Sequence, residues 1–299
     1  MSELTSQPGV WNRALRFAAQ VTPVLTAPAN RTLVAGCGTS AFVAMSLAVL
    51  RESAGLGITD AAFPAEASTV REYDQVIVLS RSGTTSEVLA LLDLLPSATH
   101  RVAITGPRES PLTERVDETI ALDFAEDFAV VQTRFPTAVL ALARAAFGHP
   151  VADLVAHGTQ ALTWPLPGEL DRTAHLVFLG HHWTLGLAHE AALKAREIAQ
   201  VWSESHPMLD YRHGPVAAAG EHTLVTALGP LPPALGDEIT ATGARLFEPQ
   251  LDPLARLVVV QRLAIELAQR KGVDIDRPPH LTRSVVLPDR HAVLVDQHR

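Results

Sequence analysis

The chain has 299 residues, of which 47% are hydrophobic and 19% are charged, a composition that suits one large or two moderate globular domains. Its net charge of -8 gives no broad basic surface, so we expect no nucleic-acid partner. No run of about eighteen apolar residues would span a membrane, and the N-terminus lacks the layout of a signal peptide. We therefore expect a cytoplasmic protein without a membrane partner. A single cysteine, Cys37, excludes an internal disulfide and fits a reducing compartment.

Short apolar stretches alternate with helical stretches along the first half of the chain. The predicted elements are a helical lead-in to about residue 27, a strand at 32–36, a helix at 41–51, a strand at 76–79, a helix at 87–92, strands at 100–105 and 118–122, and a helix ending near residue 144. This alternation predicts a parallel sheet covered by helices on both faces. The prolines between 147 and 168 mark a boundary, so we predict domains at residues 1–150 and 151–299.

The second half repeats this plan. Its predicted elements are a strand at 175–180, a helix at 185–201, strands at 223–228 and 245–247, and a helix at 254–270. Residues 202–215 read as a polar, aromatic-rich loop that is longer than a plain connection needs. The chain is therefore predicted to be α/β, with two pseudo-symmetric halves that each form a flavodoxin-like, three-layer parallel sheet flanked by helices.

A hydroxyl-rich turn separates the strand at 76–79 from its helix. Five hydroxyl residues surround Gly83, namely Ser80, Ser82, Thr84, Thr85 and Ser86. The free N–H groups and the positive dipole end of the helix favour an anion there. Capping would account for only one of the hydroxyls, and from these residues alone a phosphate site and a capped turn both stay open. The corresponding turn of the second half, 229–233, carries no hydroxyl.

Another glycine-containing turn, Gly36-Cys37-Gly38-Thr39-Ser40, follows the first strand. Its glycines allow a tight turn close to a ligand, and Thr39 and Ser40 suit the start of a helix. The Gly-x-Gly-x-x-Gly spacing of dinucleotide sites is absent. Cys37 has no obvious histidine partner, so we predict that it is a small buried filler rather than a nucleophile.

Three charged residues share one face of the helix at 185–201. Glu190, Lys194 and Glu197 are spaced by four and three positions. A salt-bridged surface stripe would explain them, but the neighbouring residues make the helix apolar on most sides, and charges on a buried helix need partners or a cavity. His213, held before Gly-Pro, can exchange protons near neutral pH, although its residues alone favour a structural role.

These pieces, taken together, resemble the sugar isomerase (SIS) domain family, in the double-domain arrangement of the isomerase half of glucosamine-6-phosphate synthase. The resemblance covers roughly residues 30–286. The matching segments, in the family's order, are 36–40, 80–85, 130–134, 190–197, 212–215 and 274–285.

The resemblance implies a role for each matching residue. A sugar phosphate would be bound by Thr39, Ser40, Ser80, Arg81, Ser82 and Thr85, with Gly38, Gln132, Thr133 and Arg283 near the substrate. Glu197 would move a proton between C1 and C2 through an enediol or enolamine, and Lys194 would stabilise charge beside it. His213 would assist ring opening from a neighbouring subunit, which implies a homodimer. The family's chemistry implies neither a cofactor nor a metal, and the His181-His182 pair has no third residue at a ligand spacing.

Departures from the family leave the reaction open. Arg283 stands where the synthases have a ring-opening lysine, and Arg134 stands where they have another lysine. Position 2 is Ser2 instead of a nucleophilic cysteine, so no glutaminase activity is expected. The leading hypothesis is aldose–ketose isomerisation of an amino or N-substituted hexose 6-phosphate. Deamination of an amino-sugar phosphate and deglycation of a fructosamine phosphate are the alternatives. A non-catalytic phosphosugar sensor is a further alternative, although the lead-in before residue 32 is too short for a helix-turn-helix domain.

Overall fold

The computed structural model describes residues 2–67 and 71–288. The helices of this part of the chain are α1 (Ser2–Leu25), α2 (Thr39–Ser53), α3 (Ser86–Leu94), α4 (Arg134–Ala146), α5 (Leu154–Ala161), α6 (Thr184–Ala199), α7 (Pro233–Ala241) and α8 (Pro253–Lys271). Its strands are β1 (Arg31–Gly36), β2 (Ile58–Ala62), β3 (Gln75–Ser80), β4 (His100–Thr105), β5 (Glu118–Ala121), β6 (His175–Gly180), β7 (Trp202–Pro207), β8 (Thr223–Ala227) and β9 (Arg245–Phe247).

The described residues divide into two compact units. The first unit comprises residues 9–151 and 282–288, and the second comprises residues 2–8 and 152–281. Each unit contains one sheet, and every strand pair in both sheets is parallel. The predicted α/β class, with parallel sheets flanked by helices, is confirmed.

The first unit has five strands in the order β2-β1-β3-β4-β5. All six residues of β3 are buried, as expected for a strand covered on both faces, which can be apolar along its whole length. Val76 and Val78 of this strand pack with Leu89 and Leu92 of α3 in the core of the unit. The hydroxyl-rich turn, residues 81–85, connects the end of β3 to the start of α3.

The second unit has four strands in the order β7-β6-β8-β9, which repeats the order of the first four strands of the other sheet. The last residue of the leading strand is a glycine in both sheets. A Cβ atom at Gly36 would lie 2.7 Å from Cβ of Ser40, and one at Gly180 would lie 2.4 Å from the carbonyl oxygen of Thr184. Glycine is required at both places because the following helix starts so close to the strand.

The prediction of a loop over residues 202–215 is wrong in its first part, because residues 202–207 form β7. The other strand that the sequence did not predict is β2, and both lie at the edge of their sheet beside the leading strand. Helices α5 and α7 were not predicted either. The predicted helix at 185–201 ends at residue 199, where Gln200 turns to a left-handed backbone with φ of 50°.

Candidate active site

The two glycine-containing turns of the first unit meet at one place in the sheet. β1 and β3 are hydrogen-bonded neighbours, while β2 lies on the other side of β1, so the direction of the strand order reverses between them. In open parallel sheets with this 2-1-3-4-5 order, ligands bind beyond the carboxyl ends of the strands at that switch point. Residues 37–40 follow β1 there, and residues 81–85 follow β3.

The turn after β1 is built for a tight entry into α2. Gly38 precedes the helix with φ of 53° and ψ of -127°, a combination that is open to glycine and costly for other residues. Thr39 and Ser40 then form the first residues of α2 and are both buried. Cys37 packs against the hydrophobic core, and burial, followed by the charge of Glu87, raises the pKa of its thiol to about 12. The thiol is therefore protonated at neutral pH, as befits a filler.

The turn after β3 holds its shape through its own hydroxyls. The Ser80 and Thr85 side-chain oxygens are 3.1 Å apart, and the Gly83 amide donates to the Ser80 hydroxyl at 3.2 Å. Gly83 has φ of 68°, and a Cβ atom there would lie 2.2 Å from the Ser110 hydroxyl oxygen. Thr85 occupies the N-cap position of α3 but its side chain makes no capping hydrogen bond. The capped-turn interpretation therefore lacks the bond that it requires at this residue.

The C-terminal segment of the first unit lies on the same turn. The Ser284 hydroxyl oxygen is 3.1 Å from that of Ser82 and 2.8 Å from that of Thr84, and Thr84 donates to Ser82 at 2.9 Å. Three hydroxyls thus form a triangle. Each can rotate and donate to an incoming anion, because a hydroxyl is both donor and acceptor.

Backbone bonds attach the same segment to the first residue of α3. The Ser86 amide donates to the carbonyl oxygen of Val285 at 3.3 Å, and the Leu287 amide donates to the Ser86 hydroxyl at 2.8 Å. A carbonyl oxygen therefore takes up one of the amides that a helix start presents to an anion.

The guanidinium of Arg81 ties the turn to its surroundings. Arg81 is 3% exposed, and it donates to the carbonyl oxygens of Asp127 at 3.0 Å and Ala129 at 2.9 Å and to that of Arg283. It joins the turn, the segment before α4 and the C-terminal segment through main-chain oxygens. Arg283 in turn pairs with Glu126 at 2.6 Å and donates to the Asp127 carbonyl at 3.1 Å. The guanidiniums of Arg81 and Arg283 thus both bind main-chain oxygens and hold these backbone segments together.

Asp127 organises the segment that carries Gln132 and Thr133. Its carboxylate is fully buried and accepts four hydrogen bonds, from the Thr133 amide and hydroxyl and the Arg134 amide at 3.1–3.2 Å and from the Phe135 amide at 3.0 Å. These amides belong to the start of α4, where a negative charge is stabilised by the helix dipole. The side-chain oxygen of Gln132 is buried and has no hydrogen-bond partner among the described residues, so it can accept a bond from a ligand.

The second unit contains the predicted charged cluster on α6. The Lys194 ammonium lies 2.5 Å from Oε2 of Glu197 and 3.4 Å from Oε1 of Glu190. The side chains of Lys194 and Glu190 are 1% and 2% exposed, whereas that of Glu197 is 18% exposed. A solvated surface stripe is thus ruled out, and Glu197 is the member of the cluster that solvent or a ligand can reach.

The two carboxylates decide the charge state of the buried amine. Burial by itself lowers the pKa of Lys194, but Glu190 and Glu197 outweigh it, so the pKa is raised above its usual value of 10.5. Lys194 is therefore a permanent ammonium at neutral pH. It can stabilise negative charge beside Glu197, but it cannot act as a base.

His213 ends a short helical turn over residues 210–213 that follows β7. The imidazole is exposed, while Tyr211, two positions earlier, is completely buried in the core of the second unit. Burial, followed by the charge of Glu204, raises the pKa of Tyr211 to about 12. Gly214 then takes φ of 150°, a value that favours glycine. The turn is thus anchored by Tyr211 and presents His213 at the surface.

Two negative findings concern residues 2–67 and 71–288. No group of three or more His, Cys, Asp or Glu side chains there is arranged to hold a metal ion. None of the helices in this part combines the length and apolar character needed to cross a bilayer.

Comparison with known proteins places these turns in a family. The model of the SIS domain matches residues 26–147, which include both turns, Gln132 and Thr133. Residues 26–147 are a SIS domain. The likeness extends further along the chain. The isomerizing glutamine–fructose-6-phosphate aminotransferase of Thermus thermophilus is 26% identical over 86% of this chain and 52% of its own length, so the chain spans about half the length of the curated relatives it matches.

Solved structures cover nearly the whole chain. Glucosamine-6-phosphate deaminase of Thermotoga maritima is 26% identical with a TM-score of 0.81, covering 96% of this chain and 99% of that one. Tagatose-6-phosphate ketose/aldose isomerase of Escherichia coli shares the fold, with a TM-score of 0.76 at 19% identity over 96% and 95% of the two chains. The aminotransferase and the deaminase, each 26% identical, support sugar-phosphate binding by an enzyme at the level of the family, and the tagatose-6-phosphate isomerase shows the fold alone.

Within the SIS domain and the C-terminal segment, the structure adds residues that the sequence did not single out. Ser284 lay in a segment that matched the family, but nothing in its neighbourhood showed that it would meet Ser82 and Thr84. Asp127 carried a weak local signal, a carboxylate shortly before a predicted helix. Its four bonds depend on a backbone path that sequence spacing does not reveal.

Proposed function

We propose that the chain is an aldose–ketose isomerase of a hexose 6-phosphate, with an amino or N-substituted sugar as the leading substrate, working through an enediol or enolamine. The buried cluster on α6 is the observation that carries this proposal. Holding an ammonium between two carboxylates in an apolar helix costs desolvation energy, and perturbed titratable groups of this kind concentrate at functional sites. Only Glu197 opens to solvent, which suits the group that exchanges a proton with a ligand.

In this proposal the sugar phosphate is bound by hydroxyls and backbone amides of the two turns in the SIS domain. Ser80, Ser82 and Thr85, together with Thr39 and Ser40, provide the donors. The bond between Ser80 and Thr85, and the bonds of Ser82 to Thr84 and Ser284, orient the hydroxyls of the second turn before the ligand arrives. Phosphate binding then supplies binding energy remote from the reacting carbons, which orients the sugar for the proton transfer.

The reaction itself is a transfer of one proton between adjacent carbons. Glu197 takes the proton from the carbon next to the carbonyl group, the electron pair of that C–H bond forms the carbon–carbon double bond, and the carbonyl oxygen takes up a proton to give the enediol. The neighbouring hydroxyl then loses its proton and becomes the new carbonyl, while Glu197 returns the first proton to the former carbonyl carbon. The Lys194 ammonium stabilises negative charge beside the reacting oxygens. His213 assists opening of the sugar ring.

The remaining expectations stay proposals about assembly. We propose that both units are SIS domains of one chain, which the repeated strand order and the matched Gly36 and Gly180 support. The boundary between them lies near residue 150, but residues 2–8 belong to the second unit and residues 282–288 to the first. We also propose a homodimer in which His213 serves the site of the second copy. Its exposed position on a turn anchored by Tyr211 supports that role.

A deaminating reaction is the second candidate. The Thermotoga maritima relative named as a glucosamine-6-phosphate deaminase matches nearly the full length of both chains. Deamination of an amino-sugar phosphate uses the same proton transfer, which turns the amino group into an imine, and water then hydrolyses the imine to a ketone and ammonia, so the same Glu197 would serve it.

The experiment that tests these proposals measures the exchange of carbon-bound protons for solvent deuterium, in addition to product formation. Fructose 6-phosphate, glucose 6-phosphate and glucosamine 6-phosphate are incubated with the protein in deuterated water, and proton NMR follows exchange at C1 and C2 while a coupled assay measures ammonia. We expect exchange with at least one sugar, and its loss in Glu197→Gln by a factor of about 100 or more, the scale of general-base catalysis. Glu266→Gln, the same change at a partly exposed, ion-paired site on α8, is the matched control.

The outcomes separate the candidates. Exchange without ammonia supports isomerisation, and exchange with stoichiometric ammonia supports the deaminase. Exchange that survives in Glu197→Gln removes Glu197 as the base. A sugar phosphate that raises the melting temperature without any exchange indicates a sensor, and no shift with any of the sugars refutes the phosphate site.

A further inference from the structure

A second feature of the first unit lies away from the two turns. A surface cavity of about 350 Å³ opens between α1 and the residues that follow β4 and β5. Arg13, Arg16 and Phe17 line it from one face of α1, since they are three and four positions apart. Arg108 follows β4, and Asp123 and Phe124 follow β5, so the opposite wall is the carboxyl edge of these strands.

The charges of this cavity do not cancel. Arg108 is paired with Asp123 at 2.8 Å. The guanidinium of Arg13 lies 4.6 Å from the centre of the Phe124 ring, a contact that orients it but leaves its charge uncompensated. Arg16 makes no hydrogen bond or ion pair to another residue in the described part of the chain. Two guanidiniums therefore stand available in a protein whose net charge is -8.

An apolar surface lies beside the charges. Phe17 and Phe124 meet edge to face, with ring centres 6.1 Å apart and planes at 85°. The volume falls in the range of about 300–1,000 Å³ that is usual for small-molecule sites. Arginine forks match the geometry of phosphate oxygens and stay charged at any physiological pH. Paired arginines next to aromatic rings suit a ligand that joins a phosphate to an apolar or planar group.

We propose that this cavity binds a small phosphate ester with an apolar or planar body, at a site separate from the sugar-phosphate turns. The phosphate lies against Arg13 and Arg16, and the body of the ligand packs on Phe17 and Phe124. Arg108 and Asp123 fix the far wall through their ion pair. The position beyond β4 and β5 leaves the switch point between β1 and β3 open, so the two ligands bind at the same time.

Isothermal titration with adenosine 5′-monophosphate at low salt is the test, with adenosine, inorganic phosphate and glucose 6-phosphate as comparison ligands. We expect Arg16→Ala to weaken binding of the monophosphate at least about tenfold, the scale of one charge-assisted hydrogen bond. Arg31→Ala is the matched control. It removes one exposed arginine from the same unit at the amino end of β1, the opposite edge of the sheet, and should change the affinity less than twofold.

Four results would overturn the proposal. They are an absence of binding at millimolar monophosphate, equal weakening by Arg16→Ala and Arg31→Ala, binding of adenosine as tight as that of the monophosphate, and binding of inorganic phosphate as tight as that of the monophosphate. Light scattering guards against one more explanation. If Arg16→Ala alters the oligomeric mass, the cavity is part of a contact between copies of the chain instead of a ligand site. Saturation with glucose 6-phosphate should leave the monophosphate affinity unchanged.

Discussion

Replacing Lys194 by methionine tests the buried cluster most directly. Methionine keeps most of the volume of the side chain and removes only the ammonium. Glu190 and Glu197 then face each other without the charge that lies between them, and Glu190 is 2% exposed. Water can therefore compensate at Glu197, which is 18% exposed, but not at Glu190.

The expected cost is large for a single substitution. Removing one partner of a buried ion pair destabilises proteins by about 3–5 kcal/mol, because the other charge remains desolvated. The loss is present at neutral pH. Since the pKa of Lys194 is raised in the folded state, its contribution to stability is complete below the unfolded value of 10.5 and disappears only as pH rises through the folded pKa. A free energy of unfolding of about 5–15 kcal/mol is typical, so Lys194→Met should retain between about 0 and 12 kcal/mol and unfold at a lower urea concentration than the unchanged protein.

Urea unfolding, followed by circular dichroism at pH 7, measures the effect. The double variant Glu190→Gln with Lys194→Met removes one of the two stranded carboxylates and should recover at least about 1 kcal/mol of the loss. A destabilisation below about 1 kcal/mol in Lys194→Met would show that the ammonium is solvated. Failure of the double variant to recover stability would show that Glu190 and Lys194 are not coupled.

Three further predictions concern the first unit. Asp127→Ala should lower the free energy of unfolding by about 3 kcal/mol or more, since four donors lose their acceptor. Asp127→Asn keeps an acceptor oxygen and should cost less. Equal effects of the two variants in urea unfolding would contradict the capping role. Ser284→Ala should speed trypsin cleavage after Arg283 about fivefold, the scale of one lost hydrogen bond, and unchanged digestion would mean that the hydroxyl triangle does not hold the segment. Cys37, with a pKa of about 12, should react with iodoacetamide at pH 8 at least about 100-fold more slowly than a free thiol, as mass spectrometry would show.

The predicted strands and the observed ones agree best where the chain is buried on both sides. The strands β1, β3, β4, β6 and β8 are short apolar runs, and each has a neighbour on both sides. The two strands that the sequence did not predict, β2 and β7, each pair with one neighbour only. In β7 one of the six residues is buried. A strand of this kind needs no apolar run, because pairing with the leading strand determines its conformation.

Some features of the candidate site were likewise predictable from the sequence, and others were not. Local sequence is enough to predict the strand–turn–helix units, the hydroxyls of the turn after β3 and the shared face of Glu190, Lys194 and Glu197, because these depend on neighbours within a few positions along the chain. The burial of the α6 charges became visible in the folded chain, because burial depends on the elements packed around the helix.

The contacts of the turn after β3 likewise come from packing. Ser284 lies about 200 positions from Ser82 and Thr84 along the chain, and Arg81 was predicted to face the phosphate, whereas its guanidinium binds three main-chain oxygens. No spacing rule encodes such contacts, since they depend on the return of the C-terminal segment to the edge of the sheet. The composition of the turn is local information, and the partners of its hydroxyls and of Arg81 are set by packing.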